Sequence, residues 1–92
     1  MLGNFWEMID AQLKELESAK SADDVMRILG NEPGAGEAFF SGSGGDKGID
    51  DSLRKAGWRY VWSEANYHFA MKAPDGSSIT YVEGDIYRGS ER

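Results

Sequence analysis

Leu53-Arg-Lys-Ala-Gly-Trp58-Arg-Tyr-Val-Trp62, followed by Tyr67-His-Phe-Ala-Met-Lys72, Pro74-Asp-Gly76 and Ile79-Thr-Tyr-Val-Glu83, is the stretch whose reading decides the fold. Its large apolar residues recur at every second position, the period of a strand with one buried face. Trp58, Tyr60 and Trp62 fall on one face of a first strand. Tyr67, Phe69 and Met71 fall on that face of a second, and Ile79 and Tyr81 on that of a third. Ser63-Glu-Ala-Asn66 and Ala73-Pro-Asp-Gly76 supply the turns, the second with Pro and Gly where a type I turn and a following left-handed residue want them. The stretch predicts a three-stranded antiparallel meander over 58–88, its aromatic face turned to the helices. The opposite face carries Arg59, Val61, His68, Ala70, Lys72, Thr80 and Val82. Beyond it, Gly84-Asp-Ile-Tyr-Arg-Gly89 adds a short extension packed by Ile86 and Tyr87, and residues 89–92 form a fraying tail.

Working outward, the segment before the meander reads as helical. Residues 48–57 form a helix with Asp50 and Asp51 at its start, Ile49 and Leu53 inward, Arg54 and Lys55 near its end and Gly57 closing it. Residues 1–30 form a helical pair. Asn4 is an N-cap with Glu7 three residues on, and Phe5, Ile9, Leu13 and Leu16 follow at helical spacing. Ser21 caps the second helix, Asp23 and Asp24 fill its first turn, Val25, Ile28 and Leu29 make its apolar face, and Gly30 ends it ahead of Pro33. Residues 31–47 carry Gly34, Gly36, Gly42, Gly44 and Gly45 and are expected to form a loop without regular structure, long for a small domain. Phe39-Phe40 in its middle either anchors it to the core or offers an apolar patch to a partner.

The expected architecture is therefore α+β in a single domain, 1–92: two N-terminal helices, a glycine-rich loop, a third helix and a three-stranded meander packed on the helices. At 92 residues the chain has a core but little room for a deep pocket. Ten basic against sixteen acidic residues give a net charge of −6, which disfavours nucleic acid as a partner. The charge is uneven: residues 1–57 hold six basic and eleven acidic groups, residues 58–92 four and five. The absence of cysteine leaves out disulfides and thiolate metal sites and suits a reducing compartment. Met1-Leu-Gly-Asn-Phe-Trp-Glu lacks the basic and apolar regions of a secretion signal, so a cytoplasmic location is expected. No apolar run approaches the roughly 20 residues of a membrane span.

Most chemistries lack their residues. Gly42-Ser-Gly-Gly-Asp-Lys-Gly48 has the glycines of a phosphate loop, but Asp46 stands before Lys47 where an anion would sit. Asp46, Asp50 and Asp51 do not have the spacing of a twelve-residue calcium loop, and no metal or other cofactor is expected. His68 is the one histidine, and the alternation puts it on one face with Arg59 and Lys72. A base beside two cations is the combination that acid–base cleavage of RNA uses. The bland reading of the same residues is a solvated strand face.

The order helix, Lys55-Ala-Gly-Trp58, strand, turn, strand with histidine, Pro74-Asp-Gly76, strand resembles the HicA-type toxins over residues 53–84. The resemblance implies a double-stranded-RNA-binding-like fold and ribonuclease activity, with His68 at the position of the family's functional histidine. The chain departs from that pattern at Asn66-Tyr67, where the family has Gly-Ser, in the missing C-terminal helix and in its acidity. The ending Ile79-Thr-Tyr-Val-Glu-Gly-Asp-Ile-Tyr-Arg88 is similar to uncharacterised small proteins of actinobacteria and their phages, which implies an accessory protein acting on a host or phage factor.

Two functional expectations follow. The first is a non-enzymatic protein-binding module that meets its partner through Phe39, Phe40, Trp6 and Trp62, with Trp58 a further candidate, because aromatic side chains dominate binding hot spots. The second is a ribonuclease using His68 with Arg59 and Lys72. A structural homo-oligomer built by pairing of a sheet edge is a third.

Overall fold

The computed structural model describes residues 4–30, 36–43 and 48–92. Among them are three helices, α1 (Asn4–Leu16), α2 (Ala22–Leu29) and α3 (Ile49–Lys55), and five strands, β1 (Ala38–Phe39), β2 (Arg59–Ala65), β3 (His68–Lys72), β4 (Ser78–Val82) and β5 (Asp85–Arg88). The strands form one antiparallel sheet in the order β1-β5-β4-β3-β2. The architecture is α+β, but the expected three-stranded meander is a five-stranded sheet. Gly44, Gly45, Asp46 and Lys47 of the phosphate-loop look-alike, with the glycine-rich residues 31–35, lie outside the described residues.

The helices form where their apolar stripes require, and α2 is also capped by a side chain, whereas Asn4, expected to cap α1, is the first residue of that helix. Ser21 Oγ accepts from the Asp24 backbone N–H at 3.1 Å, closing the N-terminus of α2, and Gly30 ends that helix at φ +70°. α1 buries Ile9, Leu13 and Leu16, α2 buries Val25 and Leu29, and α3 buries Ile49 and Leu53. All of these pack on one side of the sheet, its inner face, against Trp58, Phe69, Met71, Ile79, Tyr81 and Ile86. Trp58 is buried and donates its indole N–H to the Ala19 carbonyl at 2.8 Å, and Lys20 Nζ donates to the Ala56 carbonyl at 2.8 Å. The corner between α1 and α2 is thereby tied to the end of α3. At the same corner, Ser77 Oγ of the β3–β4 turn accepts from Ala22 N–H at 2.9 Å.

Three corrections to the sequence reading share one cause, backbone geometry that residue types do not announce. First, β5 pairs with β4 through a two-residue turn, Glu83 and Gly84, both at positive φ (49° and 102°). Such a hairpin turn advertises itself as Asn-Gly or Asp-Gly, and a glutamate at its first position hides it. Second, β1 forms inside the expected loop because β5 offers it an edge: Ala38 pairs with Ile86 and Phe39 with Asp85. The short strand splits the phenylalanine pair, Phe40 being fully buried while Phe39 stays partly exposed.

Third, β2 carries two bulges. Tyr60 pairs with Met71 but Trp62 pairs with Ala70, leaving Val61 unmatched, and a second irregularity falls between Ser63 and Ala65. An extra residue reverses the face of every side chain after it. Tyr60 therefore stays on the inner face, in edge contact with Phe69 at 5.7 Å between ring centres. Trp62 turns to the outer face. The same shift lengthens β2 to Ala65 and moves the turn to Asn66 and Tyr67, so Tyr67 is an exposed turn residue and does not belong to the aromatic face.

Candidate functional site

The register defines the outer face: Trp62, Ala70, Thr80 and Tyr87 lie in one row across four strands, with His68, Val82 and Asp85 in the adjacent row. Among the described residues no helix covers this side. Residues 89–92, expected to fray, instead cross it. Gly89 N–H donates to the Ser78 carbonyl at 2.9 Å, Thr80 Oγ1 donates to the Gly89 carbonyl at 2.8 Å, and the Trp62 indole N–H donates to the Ser90 carbonyl at 2.7 Å. Between this segment and the strands lies an open concavity of about 660 Å³, walled by Trp62, His68, Thr80, Val82 and Tyr87.

At one end of the concavity four side chains meet. The His68 ring stands edge-on to Trp62, 5.0 Å between centres at 89°. The Arg92 guanidinium lies over the Trp62 ring at 4.9 Å. Glu64 joins the other two: Oε2 accepts from Arg92, and Oε1 sits 3.6 Å from His68 Nδ1. The second bulge of β2 brings Glu64 there. An indole face beside a carboxylate holds a guanidinium well, because the ring quadrupole and the anion attract it from two directions. At the other end Arg88 turns away to Asp23 at 2.7 Å and Glu37 at 3.1 Å, and these hydrogen bonds, Asp23 first, hold its guanidinium above its ordinary pKa. Both arginines of the concavity are thus paired with carboxylates of the same chain.

The residues singled out in sequence fall as follows. Trp62 lines the concavity. Phe39 shares the outer face but sits on the opposite edge strand, four strand spacings or about 19 Å away, packed where any side chain at Gly84 would strike its ring at 2.7 Å. Phe40 and Trp58 belong to the core and offer no surface. Trp6 is exposed on the first turn of α1, beside Phe5 at 4.9 Å, with Met8 also exposed. Arg59 and Lys72 are partners in register at the far end of β2 and β3. They share the outer face with His68 but stand four residues away along β3, about 13 Å. The expected histidine–arginine–lysine group is spread along the strand, and the concavity joins His68 to Glu64, Trp62 and Arg92. Glu64 and Arg92 were missed. No sequence signal marks them, since their meeting depends on the β2 bulges.

No group of histidine and carboxylate side chains that could hold a metal ion occurs among the described residues. Among them, too, no helix is long and apolar enough to cross a membrane. Compared with protein-family models, curated proteins and solved structures, the chain has no match.

Proposed function

We propose that the protein is a non-enzymatic protein-binding module whose outer sheet face receives a short segment of a partner's main chain. One observation carries this reading: the face already holds a short stretch of polypeptide, residues 89–90, by hydrogen bonds to its main-chain carbonyls from Thr80 and Trp62. Such donors accept any sequence with the right backbone path, and the neighbouring side chains then set specificity. The pairing of Arg88 and Arg92 with carboxylates favours binding of a polypeptide over a phosphate backbone. The likeness of the Ile79 to Arg88 stretch to small actinobacterial and phage proteins suggests an accessory protein acting on a host or phage factor.

A photo-crosslinking residue at Val82, inside the concavity, is compared with one at Glu15, exposed on α1, in the cell that makes the protein. A single partner joined through position 82 and not 15 is expected. Equal products from both positions, or none, remove the reading, and a product of twice the chain's mass turns it into a homo-oligomer. The ribonuclease alternative has the contact of His68 with Glu64 in its favour. It requires RNA cleavage that is lost in His68→Ala.

A further inference from the structure

We propose that the outer-face groove recognises an arginine in a short segment of the partner, and that residues 89–92 occupy it as an intramolecular stand-in which that segment displaces. The inference rests on the protein-binding reading and adds the chemistry of what is bound. The groove makes three kinds of polar contact with its own segment: Thr80 to the Gly89 carbonyl, Trp62 to the Ser90 carbonyl, and Glu64 to the Arg92 guanidinium. Two of these read only main chain. The third, with the Trp62 ring beneath it, reads a guanidinium. A segment supplied from outside, with an arginine two residues beyond the carbonyl that Trp62 grips, meets the same donors, acceptor and ring.

Arginine fits this seat better than lysine. Its planar head stacks on the indole and offers directed N–H donors to Glu64, whereas an ammonium brings a compact, strongly hydrated charge. The net charge of −6 draws a basic segment toward the protein. The stand-in is exchangeable, since the side chains of Arg92 and Glu64 are 57% and 49% exposed and an ion pair in water is weak. Its strength as a competitor comes from tethering, which gives a linked segment an effective concentration in the millimolar range. An outside peptide therefore binds only to the fraction of molecules whose groove is open.

The test titrates two peptides, acetylated and amidated Gly-Ser-Glu-Arg and Gly-Ser-Glu-Ala, into the full chain and into Arg92→Ala. Binding is followed by the NMR signals of the Trp62 indole and of the His68 and Val82 amides. The arginine peptide should shift these signals in both proteins, with an apparent Kd about tenfold lower in Arg92→Ala, where the competitor has lost its anchor. The alanine peptide should bind that variant about tenfold more weakly than the arginine peptide. Glu64→Gln, a change at an exposed position, should weaken the arginine peptide several-fold, and the dispersion of the spectrum reports whether each variant is folded. Equal binding of the two peptides at these signals would overturn the arginine chemistry and leave the protein-binding reading standing. Failure of both peptides to move the groove signals overturns both. An affinity unchanged by Arg92→Ala removes the stand-in.

Discussion

The two faces of the sheet are made by the same strands and held in place by different means. On the inner face Phe69, Met71, Ile79 and Ile86 are at most 1% exposed, and Phe69 stacks on Tyr81 at 4.9 Å and 19°. That face is covered by three helices and stabilised by apolar area removed from water, roughly 25 cal/mol per Å². The outer face is covered by four residues of chain held by hydrogen bonds and one cation over an indole. Even so, Ala70 beneath them is fully buried. The contrast teaches that burial has two origins here. Packing of large side chains is cooperative and costly to disturb, whereas a strap on polar anchors hides the same backbone and can be lifted.

The widest gap between the faces should appear at neighbouring positions of β3. Phe69→Ala is expected to lower the unfolding free energy by about 3–5 kcal/mol, and His68→Ala by less than about 1 kcal/mol. Denaturant titration of both variants checks this, and similar losses would mean that the outer face is part of the core.

Deleting Val61 tests the register that separates the faces. With the unmatched residue gone, Trp62 follows Tyr60 directly and stands opposite Ala70 in a regular ladder, still on the outer face. Val61 is exposed, so stability should fall by about 1 kcal/mol or less, and the indole signal of Trp62 should keep the signature of its hydrogen bond to Ser90. Loss of that signature would show that Val61 is not the extra residue of the bulge.

A smaller effect is expected where the inner face reaches its edge at Tyr60. Burial first, then the Asp50 carboxylate that accepts from its hydroxyl, pushes its pKa up from 10.0 to about 12. The folded state therefore resists ionisation that the unfolded state undergoes at the ordinary value. The stability this contributes is fully present below about pH 10 and is lost as pH rises through the raised value. Tyr60→Phe should melt with a shallower fall in Tm across that alkaline range. Tyr81, also raised by burial, keeps some of the slope in the variant. Parallel curves for the two proteins would refute the shift.

The smallest change belongs to neither face. Trp6 is 56% exposed on α1, so Trp6→Ser should leave Tm within a degree or two, as surface substitutions shift stability by about 0.5 kcal/mol or less. A drop of several degrees in a thermal melt would place its ring in the core.

Much of this molecule is written locally. The apolar stripes of the helices and the two ends of α2 are there because the spacing of Ile9, Leu13 and Leu16, with Ser21 and Gly30, satisfies short-range requirements. The alternation of β3 and β4 is equally plain, since Phe69, Met71, Ile79 and Tyr81 all face inward as their period demands. β1 and β5 were not legible, because two residues carry no period and Glu83 disguises the turn. The site was legible only in part. Trp62 and His68 stand out as residue types, but their meeting with Glu64 and Arg92 does not.

The sequence by itself determined the helices, the antiparallel character of the sheet and the identity of its buried face, because each depends on hydrogen bonds and periodicity within a few residues. Tertiary structure decided the number of strands, the division of Phe39 from Phe40 and the side on which Trp62 emerges. These depend on which edge is free to pair and on single extra residues in β2, and a register is a property of two strands together. The groove with Trp62, Glu64, His68 and Arg92 is the consequence of that register.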